Sequence, residues 1–430
     1  MNVVHKSSSA NAVRTLSLAL ALAFSAHVQA DYLPDPKAAE AALWASPSVA
    51  QSRGDYAAQS LRSQSLQQGR EEWKLDAEVD QRRIQTTPSD DFAEWGLALS
   101  RPIRMPARAE ADRALAGALN AHAEASLGEA LHESGRQLLT LWFDWLNQSS
   151  QSSLWQAQRQ LAEQQLATVN ARIRLGEAPR SERVNAEAAL AQIRLQQQQA
   201  ATRLQQARSR LLAQFPGLPL TADTTLPPPA QPGFQGSADQ YVDAVLEHNH
   251  ELFRARRQAD VLQAEARKLA RHRSVDPTVG VFYRNEMGGN EHVLGLGVGL
   301  TLPGGARRTD QEAAEQLAAT AQDTAIRLEQ RLRQEARADF ETATAQTANW
   351  EQAHQAAQAL DEAARLATRA YGLGEGSLDQ VLVNRRLALE GQLTAQQVQL
   401  DALAANARLK LDAHQLWPLD VDADSAHAHP

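Results

Sequence analysis

The sequence contains two similar units about 200 residues apart, each made of two alternating strands followed by an exceptionally long polar helix. In the first unit a strand ends at 99–102, and the helix after it extends to Leu175-Gly176. In the second a strand ends at 300–303, and the helix extends to Leu373-Gly374. The offsets are 303 − 102 = 201 and 374 − 176 = 198 residues, so we interpret the units as one duplicated unit with small insertions.

Residues 1–30 are typical of a cleaved secretory signal peptide. Lys6 and Arg14 precede an apolar stretch over 16–24, and Val28-Gln29-Ala30 is the small-residue pattern that signal peptidase recognises. A transmembrane anchor is the alternative, but this stretch is much shorter than the roughly 20 residues that span hydrocarbon. We therefore expect a secreted mature chain.

The composition excludes several classes of protein. The 430 residues include no cysteine, which excludes disulfides, thiol catalysis and a lipid-modified N-terminal cysteine. A net charge of −8 argues against nucleic acid as a partner, because phosphate binding needs a basic surface. The content of 43% apolar and 5% aromatic residues suits long, thin helices better than a large globular core. No later stretch is apolar for long enough to form a membrane helix, so any membrane contact must come from strands.

The four strands, at about 73–80, 92–101, 277–284 and 293–302, have one apolar side. In the last of them leucine and valine alternate with Gly295, Gly297 and Gly299, which leaves its other side nearly bare. Lipid is one candidate cover for the apolar side, and a packed helix is the other. The residues predicted to face lipid are Trp73, Leu75, Val79, Trp95, Leu97, Val281, Leu296, Val298 and Leu300.

A sheet in lipid has to close, because an open edge leaves backbone groups without hydrogen bonds. Four strands are too few, since outer-membrane barrels start at about eight strands. A barrel would therefore be shared between copies of the chain. The alternative is a small hairpin sheet that caps a soluble helical protein.

The helices are the larger part of the chain. Residues 107–174 contain no proline, and a helix of this length is about 100 Å long; the second unit has a long helix over about 306–372. Apolar residues at Leu131, Leu138, Trp142 and Trp145 follow the spacing of a coiled coil, and from the helices alone an antiparallel coiled coil is the simplest prediction.

Each long helix is predicted to end in a glycine tip from which a second helix returns. The tips cover about 175–180 and 373–377. The first structural repeat spans 31–225, a proline-rich linker spans 226–236, the second repeat spans 237–418, and 419–430 is a polar tail.

Motifs of enzyme chemistry are not found in the sequence. The glycines at 295–299 continue the alternation of a strand and do not match a nucleotide-binding loop. His248 and His250 would point to different faces of a helix. His427 and His429, in the polar tail, are weak candidates for metal contact. We expect no catalytic residues and no cofactor.

Two tip segments carry a resemblance to a known family. Residues 172–176 and 371–382, together with Glu247-His248-Asn249-His250-Glu251-Leu252 and the weaker Ser46-Pro47-Ser48-Val49, resemble the TolC-like outer-membrane efflux proteins. The resemblance covers nearly all of the mature chain. Residues 99–108 partly resemble the heavy-metal (cobalt-zinc-cadmium, CzcC-like) branch. That branch prefers an acidic residue where Arg104 stands and Gly-Lys-Arg where Pro106-Ala107-Arg108 stands.

The resemblance implies a mainly α-helical fold with a small β part. It also implies a homotrimer, with four strands per chain closing a twelve-stranded transmembrane barrel that a long periplasmic helical barrel continues. The implied partners are outer-membrane lipid, a periplasmic adaptor (membrane fusion) protein and a proton-driven inner-membrane pump of the RND type. The residues that would meet the adaptor are Arg174, Leu175, Gly176, Glu177, Leu373, Gly374 and Glu375. Some relatives narrow the periplasmic entrance with paired aspartates; the matching positions here are Gln380 and Val383, with Asp379 one step out of register.

We therefore expect a passive export duct in the outer membrane, with its helical part in the periplasm and divalent heavy-metal cations as the favoured cargo. A duct for drugs or for type I secretion is the alternative within the family. A soluble periplasmic coiled-coil adaptor or scaffold is the alternative from another class.

Overall fold

A computed structural model describes residues 32–85, 90–220, 226–229, 233–272, 275, 277–302 and 304–419. The predicted signal peptide lies outside the described residues, as do His427 and His429. Part of the proline-rich linker lies outside them as well.

The chain is mainly helical with one small sheet, which confirms the predicted fold class. Eight α-helices and four strands occur among the described residues, and each strand pair is preceded by two shorter helices and followed by a long helix and its return. The first repeat contains α1 (Pro36–Trp44), α2 (Pro47–Gln68), β1 (Lys74–Ile84), β2 (Asp90–Pro102), α3 (Pro106–Arg174) and α4 (Arg180–Gln214). The second contains α5 (Ala238–His248), α6 (His250–Arg271), β3 (Pro277–Glu286), β4 (Glu291–Leu300), α7 (Ala306–Leu373) and α8 (Leu378–Asp412).

The two long helices set the shape of the chain. Helix α3 has 69 residues and α7 has 68, so each is about 100 Å long. Near the sheet, α2 packs on α3, α3 on α6 and α6 on α7, whereas at the far end the contacts join α4 to α3, α3 to α8 and α8 to α7. Each long helix is therefore covered by a 22-residue helix at one end and by a 35-residue helix at the other.

The helix beginnings have local causes. Proline stands at the first position of α1, α2 and α3, where its missing N–H has no helical partner to lose. The side chains of Ser237 and Gln240 form a reciprocal capping box at α5, and Asn249 Oδ1 accepts the Leu252 N–H at α6. Pro179 stands immediately before the first residue of α4, as its N-cap.

Helices α7 and α8 pack through small residues at a spacing of seven. The buried residues on α7 include Ala336, Ala343, Ala357, Ala364 and Tyr371, and those on α8 include Val381, Ala388, Ala395, Ala402 and Leu409. A strict seven-residue period produces a left-handed supercoil, and alanine lets two backbones approach closely. Gly391 extends this close approach, because a Cβ there would lie 2.8 Å from Leu360 Cδ1.

The largest hydrophobic core lies midway along the length of the molecule, where short helices and the ends of longer ones surround α3. Trp142, which is 2% exposed, donates from Nε1 to the Tyr32 carbonyl at 2.7 Å and packs on Trp145. Leu211, Phe215 and Trp417, from the ends of the returning helices, fill the same cluster. The core therefore ties both hairpins to the N-terminal helices.

Four histidines meet beside this core and join the two repeats. The ring centroid of His414, just after α8, lies 5.6 Å from His132 on α3, 5.2 Å from His248 and 5.1 Å from His250. The expectation that His248 and His250 diverge on one helix is wrong, because the chain breaks at Asn249 and both rings turn to His414. Among the described residues, no three His, Cys, Asp or Glu side chains lie close enough together to hold a metal ion.

The electrostatics around these four histidines, which we call the histidine joint, favour the neutral form of the His132 imidazole. Burial, with Arg136 nearby, lowers the pKa of His132 to about 2, and Asp412 is engaged by both His132 and Arg136. One turn away on α3, burial raises the pKa of Glu129 to about 7. The two groups have opposite effects on stability. His132 has no effect on stability above pH 6.5 and destabilises the fold increasingly as the pH falls below it, whereas Glu129 destabilises the fold increasingly as the pH rises from 4.5 to 7.

Glu129→Gln should therefore make the protein more sensitive to acid below neutral pH. In the wild type the slopes from His132 and Glu129 oppose each other between pH 4.5 and 6.5, and the variant keeps only the slope from His132. Because Glu129 is partly solvated, we expect the difference in unfolding free energy to change by up to about 1 kcal/mol per pH unit. Thermal unfolding of both proteins from pH 4 to 8 measures it. A constant difference across this range would contradict the assignment.

Candidate membrane-facing sheet and helical tips

The four strands form one antiparallel sheet in the order β1-β2-β3-β4. The two hairpins are joined through β2 and β3, with Leu99 opposite Val281. Strands β1 and β4 are the two edges, and neither has a further partner among the described residues. The sheet is therefore open in the single chain.

The register places the apolar side chains in rows on one side, which we call the apolar face. One row across the four strands is Leu75, Leu99, Val281 and Leu296. The structure leaves all nine side chains that were predicted to face lipid exposed to solvent in the single chain. Their exposed fractions are Trp73 62%, Leu75 69%, Val79 83%, Trp95 43%, Leu97 44%, Val281 47%, Leu296 83%, Val298 71% and Leu300 63%.

Aromatic side chains lie at both ends of this face. At the end far from the helices, Trp95 contacts Tyr283, whose hydroxyl is 2.8 Å from His292 Nδ1. At the end near the helices, the guanidinium carbon of Arg101 lies 5.4 Å from the centroid of Trp73. Aromatic rings at the two borders of an apolar band are typical of strands in a membrane.

The opposite face of the sheet is charged. Glu94, which is 8% exposed, accepts from the Met287 N–H and pairs with Arg82 at 3.0 Å. Arg82 also reaches Glu286 at 3.4 Å, so a three-residue ion network crosses β1, β2 and β3. The sequence analysis did not predict this network, because its partners are far apart in the chain.

The glycines of β4 lie on this charged face. The face is less bare than expected, because the ring of Phe282 lies across Gly295. A Cβ at Gly295 would stand 2.3 Å from Phe282 Cζ. Glycine therefore makes room for a cross-strand aromatic ring here.

No described helix combines the length and hydropathy of a membrane-spanning segment.

The two tips end alike, as the duplication predicts. Gly176 has φ +79° and Gly374 has φ +80°, the left-handed conformation that glycine adopts without strain. The predicted adaptor-docking residues lie here, and the two equivalent leucines, Leu175 and Leu373, are 72% and 70% exposed. Arg174, Glu177 and Glu375 are exposed beside them. The tips therefore present two similar surfaces, each with a leucine and charged residues.

A group of contacts that we call the tip clasp joins the two hairpins above these leucines. Tyr371, on α7, donates its hydroxyl to Glu182 Oε2 at 2.6 Å, and Arg172 donates to the Tyr371 carbonyl at 2.8 Å. The Arg172 guanidinium also lies over the Tyr371 ring at 4.4 Å. Burial and the Glu182 carboxylate raise the pKa of Tyr371 to about 12, so its hydroxyl stays protonated as a donor. The sequence analysis missed these roles, since the clasp pairs residues nearly 200 positions apart.

The predicted entrance residues lie on the first turns of α8. Asp379 accepts from Asn185 Nδ2 at 3.3 Å, so its carboxylate is turned toward the other hairpin of the same chain. Gln380 and Val383 are exposed, and Val383 also lines an apolar groove of about 310 Å³ between α3, α4 and α8. The three residues are thus brought together near the clasp.

Tyr371→Phe is expected to loosen the tips without unfolding the chain. The variant loses the hydrogen bond to Glu182, and a bond to a charged group contributes about 1.5 to 3 kcal/mol. Amide hydrogen exchange over 166–190 and 367–385 should then accelerate about tenfold or more. Tyr241→Phe, at a buried tyrosine far from the tips, is the control. Equal exchange at the tips in the wild type and Tyr371→Phe would show that the clasp does not hold them.

Comparison with solved structures identifies the same fold in several proteins. The outer-membrane channel OprN superposes with a TM-score of 0.73 over 88% of this chain and 89% of its own, at 14% identity. The CmeC outer membrane channel of Campylobacter jejuni has a TM-score of 0.73, 13% identity and coverage of 93% and 89%. This chain has the fold of outer-membrane channels. The outer membrane protein VceC of Vibrio cholerae is also similar, with a TM-score of 0.66, 17% identity and coverage of 89% and 99%.

No protein-family profile matches the sequence, and a search of curated proteins finds no similar chain. The likeness is therefore one of structure at low identity, and it extends over nearly the whole length of both chains.

Proposed function

We propose that the protein is the outer-membrane channel of a tripartite export system, a passive duct through which cargo leaves the periplasm. The observation that carries this proposal is the sheet, whose exposed apolar face is bordered by aromatic residues and whose opposite face is charged. In water, so large an exposed apolar surface is unfavourable. In a bilayer the same surface is buried in lipid, and the charged side lines an aqueous interior.

The open edges require more than one chain. In hydrocarbon, β1 and β4 must pair with strands of other copies. Two copies would form an eight-stranded barrel, and an interior of that size is filled by side chains. Three copies form twelve strands and leave room for a channel. The resemblance to the TolC-like proteins implies three copies, so we infer a homotrimer in which β4 of one chain pairs with β1 of the next.

The helices continue the duct into the periplasm in this arrangement. Away from the tip clasp, α4 packs on α3 and α7 packs on α8, so the outer sides of α4 and α7 would meet neighbouring copies. The tips would dock on a periplasmic adaptor through Leu175 and Leu373, and the adaptor would connect them to a proton-driven inner-membrane pump. Energy comes from that pump, and the duct itself catalyses no reaction.

Divalent heavy-metal cations are the proposed cargo, on the partial resemblance of residues 99–108 to the heavy-metal branch. Arg104, one of the residues that depart from this branch, has a structural role here. Arg104 donates to the carbonyls of Leu66 and Gln67 and to Asp112, and so ties α2 to the start of α3. Drugs or secreted proteins are the alternative cargo.

Two measurements test this function. After cell fractionation the protein should pellet with the outer membrane and resist alkaline extraction; recovery in the soluble periplasm would instead favour a helical adaptor or scaffold. Deletion of the gene in a strain that expresses the cognate pump should lower zinc or cobalt tolerance. Unchanged metal tolerance with lowered drug tolerance would contradict the metal cargo and leave the duct in place.

A further inference from the structure

One cation lies among the apolar rows of the membrane-facing sheet. Arg101 shares a row with Val279 and Val298. The row above it contains Leu99, and the row below contains Leu300. An arginine side chain therefore projects from a surface that is otherwise apolar at this level.

Arg101 lies close to the end of the sheet that is nearest the helices. Arg101 stands two residues above Ile103, whose N–H makes the last backbone bond to β3, so it is about 7 Å from the end of the sheet. An arginine facing lipid costs about 2–4 kcal/mol at the middle of the bilayer and about 0–1 near its surface. The long side chain can extend toward the helical end and keep its charge at the level of the lipid headgroups.

The arginines at the two ends of the apolar face have different partners. At the far end Arg83 is held by the carboxylate of Asp91 through bonds of 2.7 and 3.1 Å. Arg101 donates from Nε to the Glu71 carbonyl at 3.0 Å and stacks on Trp73. Among the described residues it forms no ion pair, and the Glu71 carboxylate is directed to Arg104 instead. The terminal nitrogens of Arg101 are thus positioned beside a ring, without an acidic side chain of the protein to neutralise them.

We propose that Arg101 and Trp73 form a binding site for an anionic phospholipid of the inner leaflet, with the guanidinium on the lipid phosphate. This inference rests on the proposed function, because the sheet must lie in a bilayer. The guanidinium matches a phosphate in charge and in geometry, since it can donate two parallel bonds. Leu75, 69% exposed, and Leu99, 38% exposed, lie in the next row toward the middle of the bilayer and supply an apolar surface for the acyl chains. The site marks the periplasmic border of the membrane on each chain.

The test compares Arg101→Gln with the wild type and with Arg83→Gln as a matched control from the same face. Full-length protein is placed in nanodiscs of phosphatidylglycerol and phosphatidylcholine in equal amounts, released into mild detergent, and analysed by native mass spectrometry for bound lipid. The wild type and Arg83→Gln should retain phosphatidylglycerol in preference to phosphatidylcholine. Arg101→Gln should retain about fivefold less phosphatidylglycerol, with the same oligomeric mass.

The outcomes separate this site from the proposed function. If the wild type does not enter the nanodiscs, both the duct and the lipid site are wrong. If it enters but Arg101→Gln retains as much phosphatidylglycerol as the wild type, the lipid site alone is overturned. Displacement of the bound lipid by millimolar inorganic phosphate would also overturn it, because the site would then recognise free phosphate and not a lipid.

Discussion

Leu296→Arg is expected to abolish insertion into the outer membrane, whereas Gly297→Arg, one residue further along the same strand, should be tolerated. Leu296 is 83% exposed on the apolar face, near the middle of strand β4. An arginine facing lipid costs about 2–4 kcal/mol, so three chains would lose about 6–12 kcal/mol per assembly. Gly297 lies on the charged face, and a Cβ there meets no atom within 4 Å.

Because the two residues are adjacent, the comparison tests which face of the sheet carries the arginine, and not its place along the strand. Both variants place the same charge at nearly the same depth, so the main difference between them is the side of the sheet that carries it. The measurement is the fraction of protein recovered in the outer membrane as the assembled oligomer. Equal recovery of the two variants, or loss of Gly297→Arg alone, would mean that the apolar face does not contact lipid.

Trp142→Ala is expected to lower the unfolding free energy by about 3–5 kcal/mol, the range for removing a large buried aromatic side chain. The ring is 2% exposed, packs on Trp145 at a centroid distance of 4.9 Å, and holds the Tyr32 carbonyl through Nε1. Removing it leaves a cavity where α1, α3 and the ends of α4 and α8 meet.

Trp350→Ala is the control, since that side chain is only partly buried and stacks on His354 at 5.2 Å on the surface of α7. Its loss should cost about 1 kcal/mol or less. Denaturant unfolding of both variants in detergent gives the comparison. Similar losses in the two would show that the core around Trp142 does not carry the stability we assign to it.

The features that could be predicted from the sequence are those that depend on residue patterns within a short segment. Alternation with a period of two is visible within ten residues, so the strands and the side of each residue could be assigned, as the row through Leu75 and Leu296 illustrates. The tip glycines were equally visible, because Gly176 and Gly374 need a left-handed backbone and occur at matching places in both repeats.

Other features depend on contacts that local patterns do not encode. The alanine spacing of seven on α7 and α8 was not predicted, because leucine and tryptophan give the stronger apolar pattern in the sequence. Alanine is apolar but small, and its role appears only when a second helix lies against it. Helices α1 and α5 were not assigned, and the resemblance at 46–49 and 247–252 to the family's helix start indicated only where α2 and α6 begin.

The tip clasp and the histidine joint are further examples. Arg172, Glu182 and Tyr371 are unremarkable surface types in sequence, and only the packing of two hairpins brings them together. His414 meets His132 because the chain turns sharply after α8, where His414 itself adopts φ +55°. Such a turn was not expected at a histidine, since a positive φ is uncommon outside glycine.

The most direct test of the central claim is a covalent link between β1 and β4 of neighbouring chains. The chain has no cysteine, so an introduced pair, Asp76→Cys in β1 with Val293→Cys, Gly297→Cys or Gly299→Cys in β4, is the only thiol pair present. Within one chain β1 and β4 are three strand spacings apart, about 14 Å, which is too far for a disulfide. After oxidation in intact outer membranes, at least one pair should give covalent dimers and trimers and nothing larger. Only monomers with every pair, or a ladder that continues beyond three chains, would contradict a sheet closed by three copies.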